Sequence, residues 1–191
     1  MILYIHGFGS SGKGSKALKL REYYQDQNFL APTLSHIPYL AIETLQEIIE
    51  YALYKGEEVS LIGSSLGGYM AIYLSQRYKL KAVLINPSTK PTQTLAKALG
   101  LTHHYYDLSQ FEWNNQHLKM LERYRVEKID TSNFLLLVQT GDETIDYQEA
   151  VKLFKDSGID ASQMIIEEGG THAFENIESQ FTSIDHFLAL K

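Results

Sequence analysis

The chain predicts an α/β fold, a three-layer sandwich built on a mostly parallel sheet, and three observations carry that prediction. Short apolar runs rich in β-branched residues recur at 2–5, 59–62, 82–85, 134–138 and 164–166. Helix-length segments at 16–27, 41–54, 68–78, 147–156 and 177–190 separate them. The runs are continuous, as in Phe134-Leu135-Leu136-Leu137-Val138, and do not alternate with polar residues. A strand that is apolar at every position is buried on both faces, which puts helices above and below a parallel sheet. With 191 residues, 44% of them hydrophobic, the chain can bury one sizeable core and not two, so residues 1–191 are expected to form a single domain.

Taken in order, Met1-Ile2-Leu3-Tyr4-Ile5 lacks a basic lead-in and runs straight into His6-Gly7, which reads as a first strand and not as a secretory leader. A glycine- and serine-rich turn at 7–14 opens the first helix. Residues 29–34 read as a further short strand, kept at an edge by Pro32, which has no N–H for a ladder. Leu45, Ile48, Ile49 and Ala52 recur at helical spacing and give the second helix its buried face. The run at 59–62 passes through Gly63-Ser64-Ser65-Leu66-Gly67 directly into the helix at 68–78. After the strand at 82–85 comes the one break in the alternation. Residues 87–130, following Asn86, hold two prolines, His103-His104, and Tyr105, Tyr106, Phe111 and Trp113, with helical patches and no clear strand. A long excursion inside a compact domain is usually functional, so this one is expected to be a small cap-like insertion beside the site. The plainer alternative is an extra pair of packing helices.

Composition narrows the chemistry. The absence of cysteine removes disulfides, thiolate metal sites and a cysteine nucleophile. A formal charge of -6 with no basic cluster speaks against nucleic acid or anionic membrane as a main partner. No apolar run approaches the roughly 20 residues of a bilayer span. A cytoplasmic protein acting on a small molecule is expected; oligomeric state has no signature here.

The strand, turn and helix across 59–78 carry the sharpest signal. GxSxG between a strand and a helix is the nucleophile elbow of α/β hydrolases, with Ser65 at its apex. A serine hydroxyl needs a base, and the base needs an orienting acid, which in this fold follow in the order serine, acid, histidine. Asp142 stands just after the strand at 134–138, at the carboxyl end where open sheets place their sites. Asp146, four residues on, is better explained as a helix N-cap, and Glu143 is the remaining local acid. His172 follows the last strand in a glycine-rich loop. Of the other histidines, His186 lies in the closing helix, His117 in a polar stretch, His36 between helices, and His103-His104 before the acid. The oxyanion formed on attack requires two donors: the Leu66 N–H, next to the nucleophile, and an N–H from the loop after the first strand, Phe8 ahead of Gly9. His6 is expected to order that loop.

Two other classes compete. Gly7-Phe8-Gly9-Ser10-Ser11-Gly12-Lys13-Gly14 nearly matches the phosphate loop GxxxxGK[ST], yet Gly14 occupies the position of the Mg²⁺-binding hydroxyl. A nucleotide-binding reading also leaves the ordered serine, acid and histidine unused. A catalytically inactive hydrolase-fold binding protein is the third class, although all three residue types are present.

At these residues the chain resembles the YqiA-like esterases, small bacterial α/β hydrolases. The shared blocks run nearly end to end: His6-Gly7-Phe8 with Ser10-Ser11, Ile62 through Tyr69, Asn86-Pro87, Gln139 through Glu143 with Asp146-Tyr147, and Gly169-Gly170 with His172-Ala173-Phe174. The resemblance implies a compact α/β-hydrolase fold and hydrolysis of carboxylic esters of short to medium acyl chains, with no metal or organic cofactor. It places the nucleophile on Ser65, the base on His172 and the acid on Asp142. The loop departs from the pattern at Gly12, where proline is usual, and the segment 87–130 matches least. That segment follows a strand and so starts on the catalytic face, from which Tyr105, Phe111 and Trp113 are expected to wall the acyl pocket.

Overall fold

The computed structural model describes residues 1–190. In chain order the elements are β1 (Ile2–Ile5), α1 (Ser15–Tyr23), β2 (Phe29–Leu30), α2 (Pro38–Tyr54), β3 (Ser60–Ser64), α3 (Leu66–Tyr78) and β4 (Lys81–Ile85). Then come α4 (Pro91–Thr94), β5 (Gly100–His103), β6 (Gln110–Trp113), α5 (Asn115–Glu122), β7 (Phe134–Gln139), α6 (Tyr147–Asp156), β8 (Met164–Glu167) and α7 (Phe181–Leu188). Six strands form a sheet in the order β2-β1-β3-β4-β7-β8, and every neighbouring pair is parallel. The register pairs Ile5 with Gly63, Ser64 with Ile85, and Gln139 with Glu167, so the strands end together and their following loops share one edge.

Alternation along the strands divides the interior in two. Ile2, Tyr4, Val83, Ile85, Leu135 and Leu137 face α1 and α7, meeting Leu20, Ile184 and Leu188. Leu3, Ile5, Leu61, Leu84 and Leu136 face the other layer, with Leu45 and Ile49 of α2, Leu74 of α3 and Phe154 of α6. Each such side chain contributes roughly 1.5–3 kcal/mol by leaving water, which is why the apolar runs are continuous. Among the described residues, no helix is long and apolar enough to cross a membrane.

Two expectations need correction. The strand expected at 29–34 is confined to Phe29–Leu30, because the chain then turns beneath the 7–14 loop. There a Cβ on Gly12 would collide with the Ala31 carbonyl, and Thr33 Oγ1 accepts the Gly12 N–H at 3.1 Å. The segment 87–130, read as having no clear strand, contains the antiparallel hairpin β5–β6. In β6 Gln110 and Glu112 are exposed while Phe111 and Trp113 are buried, the period-two pattern of a half-buried strand. Phe111, Trp113 and Leu121 join the core beside α2 and α3.

Candidate active site

Ser65 sits between β3 and α3 with φ 56° and ψ -121°, a conformation that residues with a side chain rarely adopt. Neighbouring backbone locks it there. Its N–H donates to the Ile85 carbonyl at 3.1 Å, and its carbonyl accepts the N–H groups of Gly68 at 2.9 Å and Ser88 at 3.0 Å. The positive φ falls on the serine itself. The glycines of the motif serve close approach instead: a Cβ on Gly63 would strike the Gly67 carbonyl, and one on Gly67 would strike the carbonyl of Ile5.

The structure brings Ser65, His172 and Asp142 into one hydrogen-bonded path. His172 Nε2 lies 3.0 Å from Ser65 Oγ, and its Nδ1 lies 2.8 Å from Asp142 Oδ2. Asp142 Oδ1 accepts backbone N–H groups from Thr144 at 2.9 Å and Ile145 at 2.8 Å. Burial of the Asp142 side chain disfavours its charge, but the hydrogen bonds from His172 and these amides outweigh that, and the carboxyl is held below its ordinary range. An ionised Asp142 only accepts, so Nδ1 carries the imidazole proton and Nε2 is free to accept from the Ser65 hydroxyl. Asp146 faces elsewhere and caps α6 through the Gln148 N–H at 2.9 Å. Glu143 accepts the backbone N–H of His172 at 3.0 Å.

Three residues that the sequence reading did not single out as site residues hold this arrangement. Asn86 donates from Nδ2 to the carbonyls of Thr171 at 3.0 Å and His172 at 3.3 Å, and accepts the Gln139 N–H at 2.9 Å. Gln139 in turn accepts the Thr171 N–H at 3.0 Å. The Lys16 ammonium donates to Ser64 Oγ at 3.1 Å and to the Ala173 carbonyl at 2.5 Å, joining the residue before Ser65 to the residue after His172.

The loop after β1 closes over the serine. A Cβ on Gly7 would lie 3.1 Å from Ser65 Cβ and 3.5 Å from its Oγ, so any side chain here would crowd the serine by a few tenths of an ångström. Among the described residues, neither Phe8 N–H nor Leu66 N–H donates to another protein group, and both residues border the space in front of Ser65. His6 is buried behind the loop, its Nδ1 2.8 Å from the Gly7 carbonyl and its Nε2 accepting the Leu34 N–H at 2.9 Å. Burial pushes its pKa down, which keeps the neutral form that this pair of bonds requires.

Two cavities meet at Ser65, His172, Phe8 and Tyr105. One, of about 580 Å³, runs toward α1; the other, of about 560 Å³, runs toward Leu95, Ala98 and Ile145. Tyr105 borders both and is 69% exposed. Phe111 and Trp113 border neither, correcting the expectation that they wall the acyl pocket. Trp113 is wholly buried, its Nε1–H donating to the Leu95 carbonyl at 3.1 Å, and both rings pack edge-on against Phe8, at 5.7 and 4.9 Å between centroids. His36 stacks against Phe111, His104 packs against it at a tilt, and His117 closes the capping box of α5 with Asn114. Among the described residues, no group of three or more His, Asp or Glu is placed to hold a metal ion. Lys13, the lysine of the near phosphate loop, is exposed.

The model of a family described as "Uncharacterised protein family (UPF0227)" matches residues 1–189. A UPF0227 protein of Serratia proteamaculans is 26% identical over 193 residues, covering 100% of this chain and 99% of its own. Among solved structures, alpha/beta hydrolase domain-containing protein 10 from mouse superposes with TM-score 0.73 at 19% identity, covering 98% of this chain and 89% of that one. An esterase of Pyrococcus furiosus superposes with TM-score 0.68 at 16% identity, covering 98% and 81%. At these identities the likeness establishes the architecture, an α/β-hydrolase fold.

Proposed function

Given that the chain belongs to the UPF0227 family, we propose that it is a serine hydrolase cleaving carboxylic esters, thioesters included, of short to medium acyl chains. The observation that carries this reading is the unbroken path from Asp142 through His172 to Ser65 Oγ. Ser65 Oγ attacks the ester carbonyl as its proton passes to His172 Nε2, and Asp142 stabilises the imidazolium. The carbonyl oxygen becomes an oxyanion facing the N–H groups of Leu66 and Phe8, each such donor being worth about 3 kcal/mol of barrier. Collapse breaks the bond to the leaving alcohol or thiol, which takes the proton from His172, and the acyl group stays on Ser65. Water then repeats the sequence, releasing the acid and restoring the serine. In this reading residues 1–191 are one domain, 87–130 is its cap-like insertion, and Tyr105 is the insertion's contribution to the substrate wall.

The deciding experiment treats the protein with a fluorophosphonate and maps the adduct by mass spectrometry, alongside hydrolysis of p-nitrophenyl butyrate. Modification at Ser65 alone and loss of turnover in Ser65→Ala are expected. Modification at Ser64 or Ser10, or turnover that survives Ser65→Ala, overturns the assignment.

A further inference from the structure

The two cavities that meet at Ser65 both mix polar and apolar residues, and they differ in where their lysines stand. The 560 Å³ cavity is lined by Leu66, Leu95, Ala98 and Ile145 together with Glu143 and Lys97, whose side chain is exposed. The 580 Å³ cavity is lined by Ser10, Ser11, Ser15 and Lys16, with Tyr4, Ala17, Phe174 and Ile177 as its apolar part. Both acceptors of Lys16, Ser64 Oγ and the Ala173 carbonyl, are neutral, which leaves one of its three N–H donors over. Among the described residues, no carboxylate lies within ion-pair distance of it. Lys19, one turn along α1, is already paired with Glu178 at 2.7 Å, and Asp142 is engaged with His172. A cation without an ion-pair partner in a cleft is an unusual expense unless an anion arrives to meet it.

Resting on the esterase reading, we propose that Lys16 is a specificity-determining residue and that the ester substrate carries an anionic group, a carboxylate or phosphate, which enters the α1-side cavity and pairs with its ammonium. Burial independently lowers the Lys16 pKa to about 8, against the opposing pull of Asp142, as expected of a cation awaiting its counter-charge. The other titratable groups around it are Tyr4 on β1, Lys19 on α1, Tyr105 between β5 and β6, and His172 and Glu175 on the loop before α7.

The test compares two matched pairs of esters. Mono-p-nitrophenyl adipate against p-nitrophenyl hexanoate places the anion on the acyl side. The butyrates of 4-hydroxybenzoate and 4-hydroxybenzamide place it on the alcohol side. In one of the pairs the wild type is expected to favour the anionic member by tenfold or more in kcat/KM. Lys16→Met should collapse that ratio to about one, and Lys16→Arg should keep most of it. The wild-type ratio should also fall as pH rises through about 8, a readout that needs no variant. A ratio near one in both wild-type pairs, or equal loss on both members of a pair in Lys16→Met, overturns the anion site and reduces Lys16 to a clasp between loops. Absence of any Ser65-dependent turnover among the four esters overturns the esterase reading itself, and the anion site with it.

Discussion

Asp142 holds His172 with one oxygen only, because its second oxygen is taken by the backbone N–H groups of Thr144 and Ile145. In Asp142→Asn the amide oxygen would keep those two donors and turn its NH₂ toward Nδ1. The imidazole proton would then move to Nε2, the tautomer that cannot accept from Ser65. We expect a loss of ~10⁴-fold in kcat. Asp146→Asn, which changes a helix cap, should leave kcat within a few-fold. Steady-state kinetics on p-nitrophenyl butyrate distinguish the two, and swapped phenotypes would reassign the acid.

Ser65→Ala and His172→Ala should each lower kcat by ~10⁴-fold or more, and the double variant should be little worse, since either loss disables the same proton transfer. Additive losses would mean that the two residues act in separate steps.

Trp113 is wholly buried beneath Phe8, so Trp113→Ala should cost about 3–5 kcal/mol in urea denaturation. Its chain-length preference among p-nitrophenyl esters should match that of the wild type. Tyr105→Ala should do the reverse, shifting relative kcat/KM across acyl lengths with little effect on the unfolding midpoint. A stable Trp113→Ala with altered preference would return that residue to the substrate wall.

Lys16 makes stability depend on alkaline pH in a defined direction. Its pKa is about 8 in the folded protein against 10.5 ordinarily, so below pH 8 both states are protonated and the cost of the buried charge is fully present. Between 8 and 10.5 the unfolded state binds the extra proton, and stability rises with pH. The gap corresponds to about 3 kcal/mol at most. Urea midpoints of Lys16→Met should therefore lose ground relative to the wild type across that interval. A difference that stays constant from pH 7 to 10.5 would contradict the placement of this ammonium.

The layered architecture was legible because the central residues of β1, β3, β4 and β7 form continuous apolar runs, and such runs admit few placements besides the middle of a covered sheet. The hairpin β5–β6 was not. Its informative alternation spans only four residues, from Gln110 to Trp113, and its turn lacks an Asn-Gly or Asp-Gly signal. Ser65, Asp142 and His172 could be named from chain order and their positions after strands. Lys16 could not, because its partners Ser64 and Ala173 lie 48 and 157 residues away. Asn86 and Gln139 likewise act across the sheet, and no local pattern marks such contacts. Phe111 and Trp113 were misjudged because aromatic composition does not tell which way a strand faces, and their alternation with Gln110 and Glu112 turns them inward.

The backbone at Ser65 sets thermostability against turnover at a single position. A side-chain-bearing residue in this conformation costs about 1–3 kcal/mol, and glycine adopts it without that cost. Ser65→Gly should therefore raise the melting temperature while abolishing hydrolysis, and a fall in melting temperature would show that the elbow is relaxed. A screen of random variants for heat resistance alone would enrich inactive proteins at this residue. Engineering for robustness must hold position 65 fixed and seek its gains elsewhere.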